Sequence, residues 1–236
     1  MRQFLKPPDT KEEIMDELLR SIGAIGLVPV IKLEDPAKAA ELGKALMDGN
    51  LPVAEITFRT KTAAESIKIL RRQFPSLIVG AGTIITLDQA QAALDAGASF
   101  AVTPGFNPAI VEFLIKKGLP VVPGVNSPTQ VEMGLGFGLE VLKFFPAEAS
   151  GGIKMLKSLS GPYPEVKFMP TGGVEAANLS AYLGLPNVLA CGGSWMVKDD
   201  LIKAGRFTEI AAACREAVEL ARGARTSFLT PKMILP

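Results

Sequence analysis

The chain has no histidine among its 236 residues, and this absence narrows its chemistry more than any other feature of composition. It removes His-ligated zinc, His-based nucleophile triads and imidazole general bases, leaving proton transfer to Glu, Asp, Lys, Tyr or water. Cysteine is scarce: Cys191 and Cys214 are the only two. They form no disulfide framework, and their spacing does not suit a metal site, so both are expected to be buried, reduced thiols. Neither charge sign prevails. A formal net charge of +1 gives no electrostatic footprint for nucleic acid or a membrane surface. The apolar run from Ile22 to Ile31 is too short to span a bilayer and is interrupted by Pro29. The opening segment, Met1 to Pro8, lacks the apolar core of a signal peptide. A soluble, cytoplasmic protein is expected, with no nucleic-acid or membrane partner.

Against these absences stand a hydrophobic content of 48% and a regular alternation of short apolar runs with helical patterns. The length suits one domain, with no linker or low-complexity tract inside it. A single domain over 1–236 is expected, with a core of about 25–222 and a C-terminal tail from 223. A first helix is predicted over Lys11–Ile22, with Thr10 as N-cap and Glu13 completing a capping box. Strands are predicted at Leu27–Lys32, Val53–Thr57, Leu77–Gly82, Phe100–Thr103, Val121–Gly124, Glu140–Phe144, Lys167–Pro170 and Val188–Gly192. Helices are predicted between them, at Pro36–Met47, Thr60–Gln73, Leu87–Ala96, Pro108–Lys117, Pro128–Gly136, Gly152–Leu159 and Asn178–Leu183, with a last helix from about Thr208 to Ala221. Gly49, Gly97, Gly118 and Gly138 suit left-handed positions after helix ends. Continuous apolar strands alternating with helices imply parallel βαβ units covered on both faces. Eight such units imply an α/β fold of the (β/α)8 TIM-barrel type with an N-terminal helix. A doubly wound open sheet is the alternative, weakened because no G-x-G-x-x-G follows the first strand. The tail carries Phe228, Leu229, Met233, Ile234 and Leu235, which suit docking on the barrel or on a neighbouring subunit.

In a barrel of this type, chemistry gathers at the C-terminal ends of the strands. The sixth apolar run, Val141-Leu142-Lys143-Phe144-Phe145-Pro146, encloses a lysine. One reading is a side chain snorkelling from a strand end. The other is a nucleophile: desolvation disfavours the ammonium form, and a free amine attacks a ketone to form a Schiff base. The second strand ends Glu55-Ile56-Thr57-Phe58-Arg59, where period-two alternation sets Glu55, Thr57 and Arg59 on one face. Glu55 and Arg59 then form either a structural ion pair or a proton carrier and a carboxylate clamp. The third strand ends at Gly82-Thr83, the fourth at Thr103-Pro104-Gly105. The seventh ends Thr171-Gly172-Gly173 and the eighth Gly192-Gly193-Ser194, ahead of a short helix predicted at Trp195–Val197. Paired glycines in these last two loops, with a helix N-terminus behind the second, suit a phosphate.

These segments give the chain a resemblance to a known family. Val28-Pro29-Val30-Ile31, Glu55-Ile56-Thr57-Phe58-Arg59-Thr60, Gly80-Ala81-Gly82-Thr83, Thr103-Pro104-Gly105, Lys143-Phe144-Phe145-Pro146-Ala147-Glu148, Pro170-Thr171-Gly172-Gly173 and Gly192-Gly193-Ser194-Trp195 resemble the 2-dehydro-3-deoxy-6-phosphogluconate (KDPG) aldolases. Members of that family often also act on 4-hydroxy-2-oxoglutarate (KHG). The resemblance covers roughly Ile25 to Arg222. It implies Lys143 as the Schiff-base lysine and Glu55 as the acid/base. Arg59 and Thr83 would contact the pyruvate carboxylate, with Pro104 and Phe145 lining the pocket. Thr171, Gly172, Gly173, Gly192, Gly193 and Ser194 would bind phosphate. It further implies a homotrimer that uses no metal or organic cofactor and takes a small phosphorylated 2-keto acid. Thr103 stands where many members carry Ser. Galactonate-type aldolases, epimerases or thiamine-phosphate-type synthases, and a non-catalytic phosphate-binding barrel remain as alternatives. Only an aldolase needs the lysine inside its apolar strand.

Overall fold

A computed structural model of the protein describes residues 11–229. Its strands are β1 (Leu27–Ile31), β2 (Val53–Thr57), β3 (Ile78–Gly82), β4 (Phe100–Val102), β5 (Val121–Val122), β6 (Gly124–Val125), β7 (Val141–Phe144), β8 (Lys167–Pro170) and β9 (Cys191–Gly193). The helices are α1 (Lys11–Ile25), α2 (Ala39–Asp48), α3 (Ala63–Gln73), α4 (Leu87–Asp95), α5 (Pro108–Lys117), α6 (Pro128–Gly136), α7 (Gly152–Leu159), α8 (Ala176–Leu183), α9 (Asp199–Lys203) and α10 (Phe207–Leu229). The predicted capping residue Thr10 and the tail residues Met233, Ile234 and Leu235 lie outside the described residues; Phe228 and Leu229 belong to α10.

Each helix-then-strand step returns the chain to a parallel neighbour, giving an α/β fold with parallel pairing throughout the named strands. The order is β5-β4-β3-β2-β1-β9 in one arc and β6-β7-β8 in the other. Parallel bridges Phe168↔Val188 and Thr171↔Gly192 carry β8 toward the β9 segment. At the other junction only Pro123 separates β5 from β6. Proline has no N–H for the ladder, but its carbonyl still accepts from Lys143 N–H at 2.9 Å. The predicted fifth strand is thus split at this residue.

All five residues of β2 are buried, as expected of a strand covered on both faces. The core contains Phe100, Phe144, Phe168 and Tyr182, and the Phe144 and Phe168 rings meet edge to face at 6.4 Å. Asp35 caps a short 3-10 turn at Pro36–Lys38 that leads into α2. Asn107 caps α5, whose first residue is Pro108.

Three predicted details differ. Gly49 is not left-handed; its φ is −82°, and the left-handed residue is Asn50 at φ 56°. Gly49 is required for a close approach, because a Cβ there would lie 2.5 Å from Cys214 Cβ on α10. The segment Trp195–Val197 is a turn, and the helix begins only at Asp199. The Trp195 ring occupies the space that a Cβ on Gly193 would need, while the acidic Asp199 and Asp200 suit a helix's first turn. The last helix runs past Ala221 to Leu229, because Ala221 and Ala224 remain buried and Arg225 donates to the Gly23 and Leu189 carbonyls.

Among the described residues, no helix is long and apolar enough to cross a membrane.

Candidate active site

The strand register decides which side chains meet. Glu55 lies beside Gly80 on β3, and Thr57 beside Gly82. Across the molecule, Lys143 on β7 lies beside Gly124 on one side and Met169 on the other. β2 and β7 belong to different arcs, yet Lys143 Nζ lies 3.4 Å from Glu55 Oε1. The pair therefore spans the space between the arcs. Glycine at position 82 makes room for it, since a Cβ there would overlap Glu55 Oε1.

This pair is a poor stabiliser. Lys143 is 4% exposed and Glu55 fully buried, so each charge loses most of its hydration, at an effective cost of several kcal/mol per ion. A structural salt bridge offsets that cost with full hydrogen bonding. Here Glu55 Oε2 is buried and has no hydrogen-bond partner among the described residues. The lysine does not snorkel, and its Nζ also lies 5.1 Å from the Phe145 ring centroid. A lysine and a carboxylate held together in an apolar enclosure, with one oxygen uncommitted, can exchange protons with a bound reactant.

Arg59 stays beside Thr57, as strand alternation implied, but without the ion pair to Glu55. It is exposed and does not pair with Glu55; its Nε donates to Thr57 Oγ1 at 3.2 Å. Thr57 is buried and donates its own hydroxyl to Ile31 carbonyl at 2.9 Å, so β1 and β2 together fix the guanidinium. The structural Glu55–Arg59 ion pair is therefore overturned, because Lys143 takes its place. Arg59 instead lines a cavity of about 340 Å³ with Val30, Lys32, Ser194, Trp195 and Lys198 among its neighbours. That volume suits a small metabolite.

The remaining predicted residues lie in or just beyond the C-terminal ends of β3, β4, β7, β8 and β9. Thr83 has φ 59°, a left-handed conformation that β-branched side chains avoid at a cost of about 1–3 kcal/mol. Thr83 directly follows Gly82, the residue packed against Glu55. Thr103 Oγ1 donates to Gly105 carbonyl at 2.7 Å and accepts from Gly124 N–H at 3.3 Å, shaping the turn that carries Pro104. Phe145 packs against Gly172, whose Cβ position lies 3.3 Å from the ring. Gly172 and Gly173 both have positive φ, 94° and 82°, which successive non-glycine residues would resist. Thr171 is buried and bridges to Gly192. Gly192 and Gly193 are buried, and their missing side chains admit Thr171 and the Trp195 ring. Packing therefore requires glycine at both positions. Ser194 is exposed and lines the cavity, but the helix N-terminus expected behind it lies farther along, at Asp199.

Sequence reasoning missed Lys32, Glu175, Lys198 and Asp199 as cavity residues. Lys32 directly follows the apolar β1, a charged residue at a strand end, and was legible on that ground. Glu34 and Asp199 flank Lys32, and the hydrogen bond that Lys32 Nζ donates to Glu34 is the first cause that raises its pKa.

Comparison with known proteins places this geometry in context. The family profile described as "KDPG and KHG aldolase" matches residues 17–213. A 2-dehydro-3-deoxy-phosphogluconate aldolase of Treponema pallidum (strain Nichols) is 43% identical over 206 residues, covering 87% of this chain and 98% of the relative. The KHG/KDPG aldolase of Escherichia coli (strain K12) is 40% identical over 196 residues, covering 83% of this chain and 92% of the relative. Among solved structures, the KDPG aldolase of Legionella pneumophila, with pyruvate captured at low pH as a covalent carbinolamine intermediate, superposes with a TM-score of 0.80. It is 41% identical and covers 83% of this chain and 97% of its own.

Proposed function

The chain belongs to the KDPG and KHG aldolase family, and from that membership we propose that it is a class I aldolase cleaving KDPG to pyruvate and glyceraldehyde 3-phosphate, and KHG to pyruvate and glyoxylate. One observation carries the residue assignment: a buried lysine amine 3.4 Å from a buried carboxylate. The parallel arcs support the finer reading of a closed (β/α)8 barrel, in which β5 and β6 count as one strand.

In this reading the free-amine form of Lys143 attacks C2 of the keto acid, and the carbonyl oxygen takes up a proton to give a carbinolamine. Glu55 carries protons between nitrogen and oxygen, and loss of water gives a protonated imine. The C4 hydroxyl then gives up its proton, the C3–C4 bond breaks, and its electron pair moves into the iminium to leave an enamine. The aldehyde departs. Protonation at C3 regenerates the imine, and water releases pyruvate and the amine. Side chains and water serve each step, so no metal or organic cofactor enters.

In the same reading Arg59, which lines the cavity, holds the carboxylate next to C2 through its planar fork, with Thr83 donating a hydroxyl. Pro104 and Phe145 wall the pyruvate half. Thr171, Gly172, Gly173, Gly192, Gly193 and Ser194 take the phosphate, the positive-φ turn at Gly172-Gly173 being the best suited of these to present backbone N–H groups. The reading extends to a homotrimer, as the motif resemblance implies, and to the cytoplasm, as the composition suggests.

Reduction with borohydride in the presence of pyruvate, followed by peptide mass mapping, tests the assignment. A pyruvyl adduct on Lys143 is expected, and Lys143→Met should retain the native circular dichroism while losing the adduct and turnover. Substantial turnover by that variant, or an adduct on another lysine, would remove Lys143 from the chemistry.

A further inference from the structure

A second carboxylate, outside the Lys143–Glu55 pair, touches the glycine turn. Glu148 closes the lysine motif a few residues beyond β7. Its N–H donates to Gly172 carbonyl at 3.1 Å, and Ala147 N–H donates to Thr171 carbonyl at 2.8 Å, so the two loops are already laced through their backbones. The side chain adds a second restraint. A Cβ on Gly173 would come within 2.5 Å of Glu148 Cγ and 2.7 Å of Glu148 Cβ, which places the Glu148 stem directly against the second glycine.

The carboxylate is anchored from behind. Glu148 Oε1 accepts from the Tyr182 hydroxyl, whose ring is fully buried on α8. The start of α7 closes over the same two oxygens, which lie 3.1 and 3.0 Å from the Cβ position of Gly152. Burial first, and then the bond to Glu148, pushes the Tyr182 hydroxyl pKa up, so the hydroxyl keeps the proton it donates.

Two successive glycines lose more conformational freedom on ordering than any other pair. A turn built from them binds an anion weakly unless something else holds it in shape. We propose that Glu148, anchored by Tyr182, is a positioning residue that pre-orders the Gly172-Gly173 turn for the phosphate of the substrate. Glu148 acts through the turn and does not touch the reacting atoms. The inference rests on the phosphate reading given above for that turn.

The test compares KDPG with 2-dehydro-3-deoxygluconate, which has the same carbon chain without the phosphate. Glu148→Ala and Tyr182→Phe should each raise KM for KDPG about fivefold, as when the competent turn is populated about a fifth of the time. KM for the unphosphorylated substrate, kcat for both, and borohydride trapping of pyruvate on Lys143 should stay within about twofold of wild type. Glu148→Gln keeps the stem and a carbonyl that accepts from Tyr182, and should restore the wild-type KM. A general structural role predicts equal losses on both substrates, and that result would overturn the proposal. So would unchanged KDPG kinetics in both variants while Ser194→Ala raises KM for KDPG alone. If Ser194→Ala also leaves that KM unchanged, the phosphate placement itself falls and takes the inference with it.

Discussion

Glu55 has one charged neighbour, Lys143 Nζ, and one oxygen without a hydrogen bond among the described residues. A carboxylate so placed can take a proton from one group and give it to another without breaking a structural network. Glu55→Gln keeps the shape and one acceptor oxygen but cannot carry a proton. Turnover should fall by about two to four orders of magnitude, with pyruvate binding retained, as steady-state kinetics and equilibrium binding would show. A loss under tenfold would reduce Glu55 to a charge partner. The identity of both residues was legible from an ionisable group inside an apolar strand. Their contact was not, since the two positions lie 88 residues apart in the chain.

Among the elements, the helices predicted from Leu87, Pro108 and Pro128 begin at those residues, whereas those predicted from Thr60 and Asn178 begin at Ala63 and Ala176. Asn107, which the sequence reading did not single out, caps α5: its Oδ1 accepts from Ala109 N–H at 3.1 Å. Asn107→Ala should cost about 1 kcal/mol, measured as a shift in the urea midpoint, with kcat unchanged. A change in kcat without that shift would instead tie Asn107 to the neighbouring Pro104 turn. Strand ends were less readable. The eighth predicted strand, Val188–Gly192, is observed as Cys191–Gly193, with Val188 contributing only an isolated bridge. Apolar composition marks the segment, but the hydrogen-bond partners that define its limits belong to Gly26, Val28 and Phe168, far away in sequence. The turn at Trp195 was missed for a similar reason, because the space its ring fills exists only once Gly193 is in place.

Across the whole molecule, α10 locks onto α2 and α8, and both cysteines are fully buried in this packing. Burial pushes the Cys214 thiol from about 9 up to about 12. The sign follows: above pH 9 the unfolded chain releases this proton while the folded one holds it, so the folded state binds more protons. Stability then falls as pH rises from about 9 to about 12. Urea unfolding across that range should show this decline, and Cys214→Ala should make it shallower, after allowance for its lower baseline, leaving the share of Cys191 and Tyr182, whose pKa values burial also raises. An unchanged slope in the variant would show that Cys214 adds nothing to the pH dependence. In native protein, neither thiol should react with a thiol reagent faster than the chain opens.

Local chain chemistry was enough for the parallel α/β class, for helix starts such as Leu87 and Pro108, and for the residue types at the candidate site, because strand burial, turn-forming residues and a lysine inside an apolar run all leave local signatures. Only packing set Lys143 rather than Arg59 against Glu55, turned Arg59 toward the cavity beside Thr57, and laid Glu148 against the Gly172-Gly173 turn. These depend on strand register and on closure of space between distant segments, and neither is encoded within any short stretch of chain.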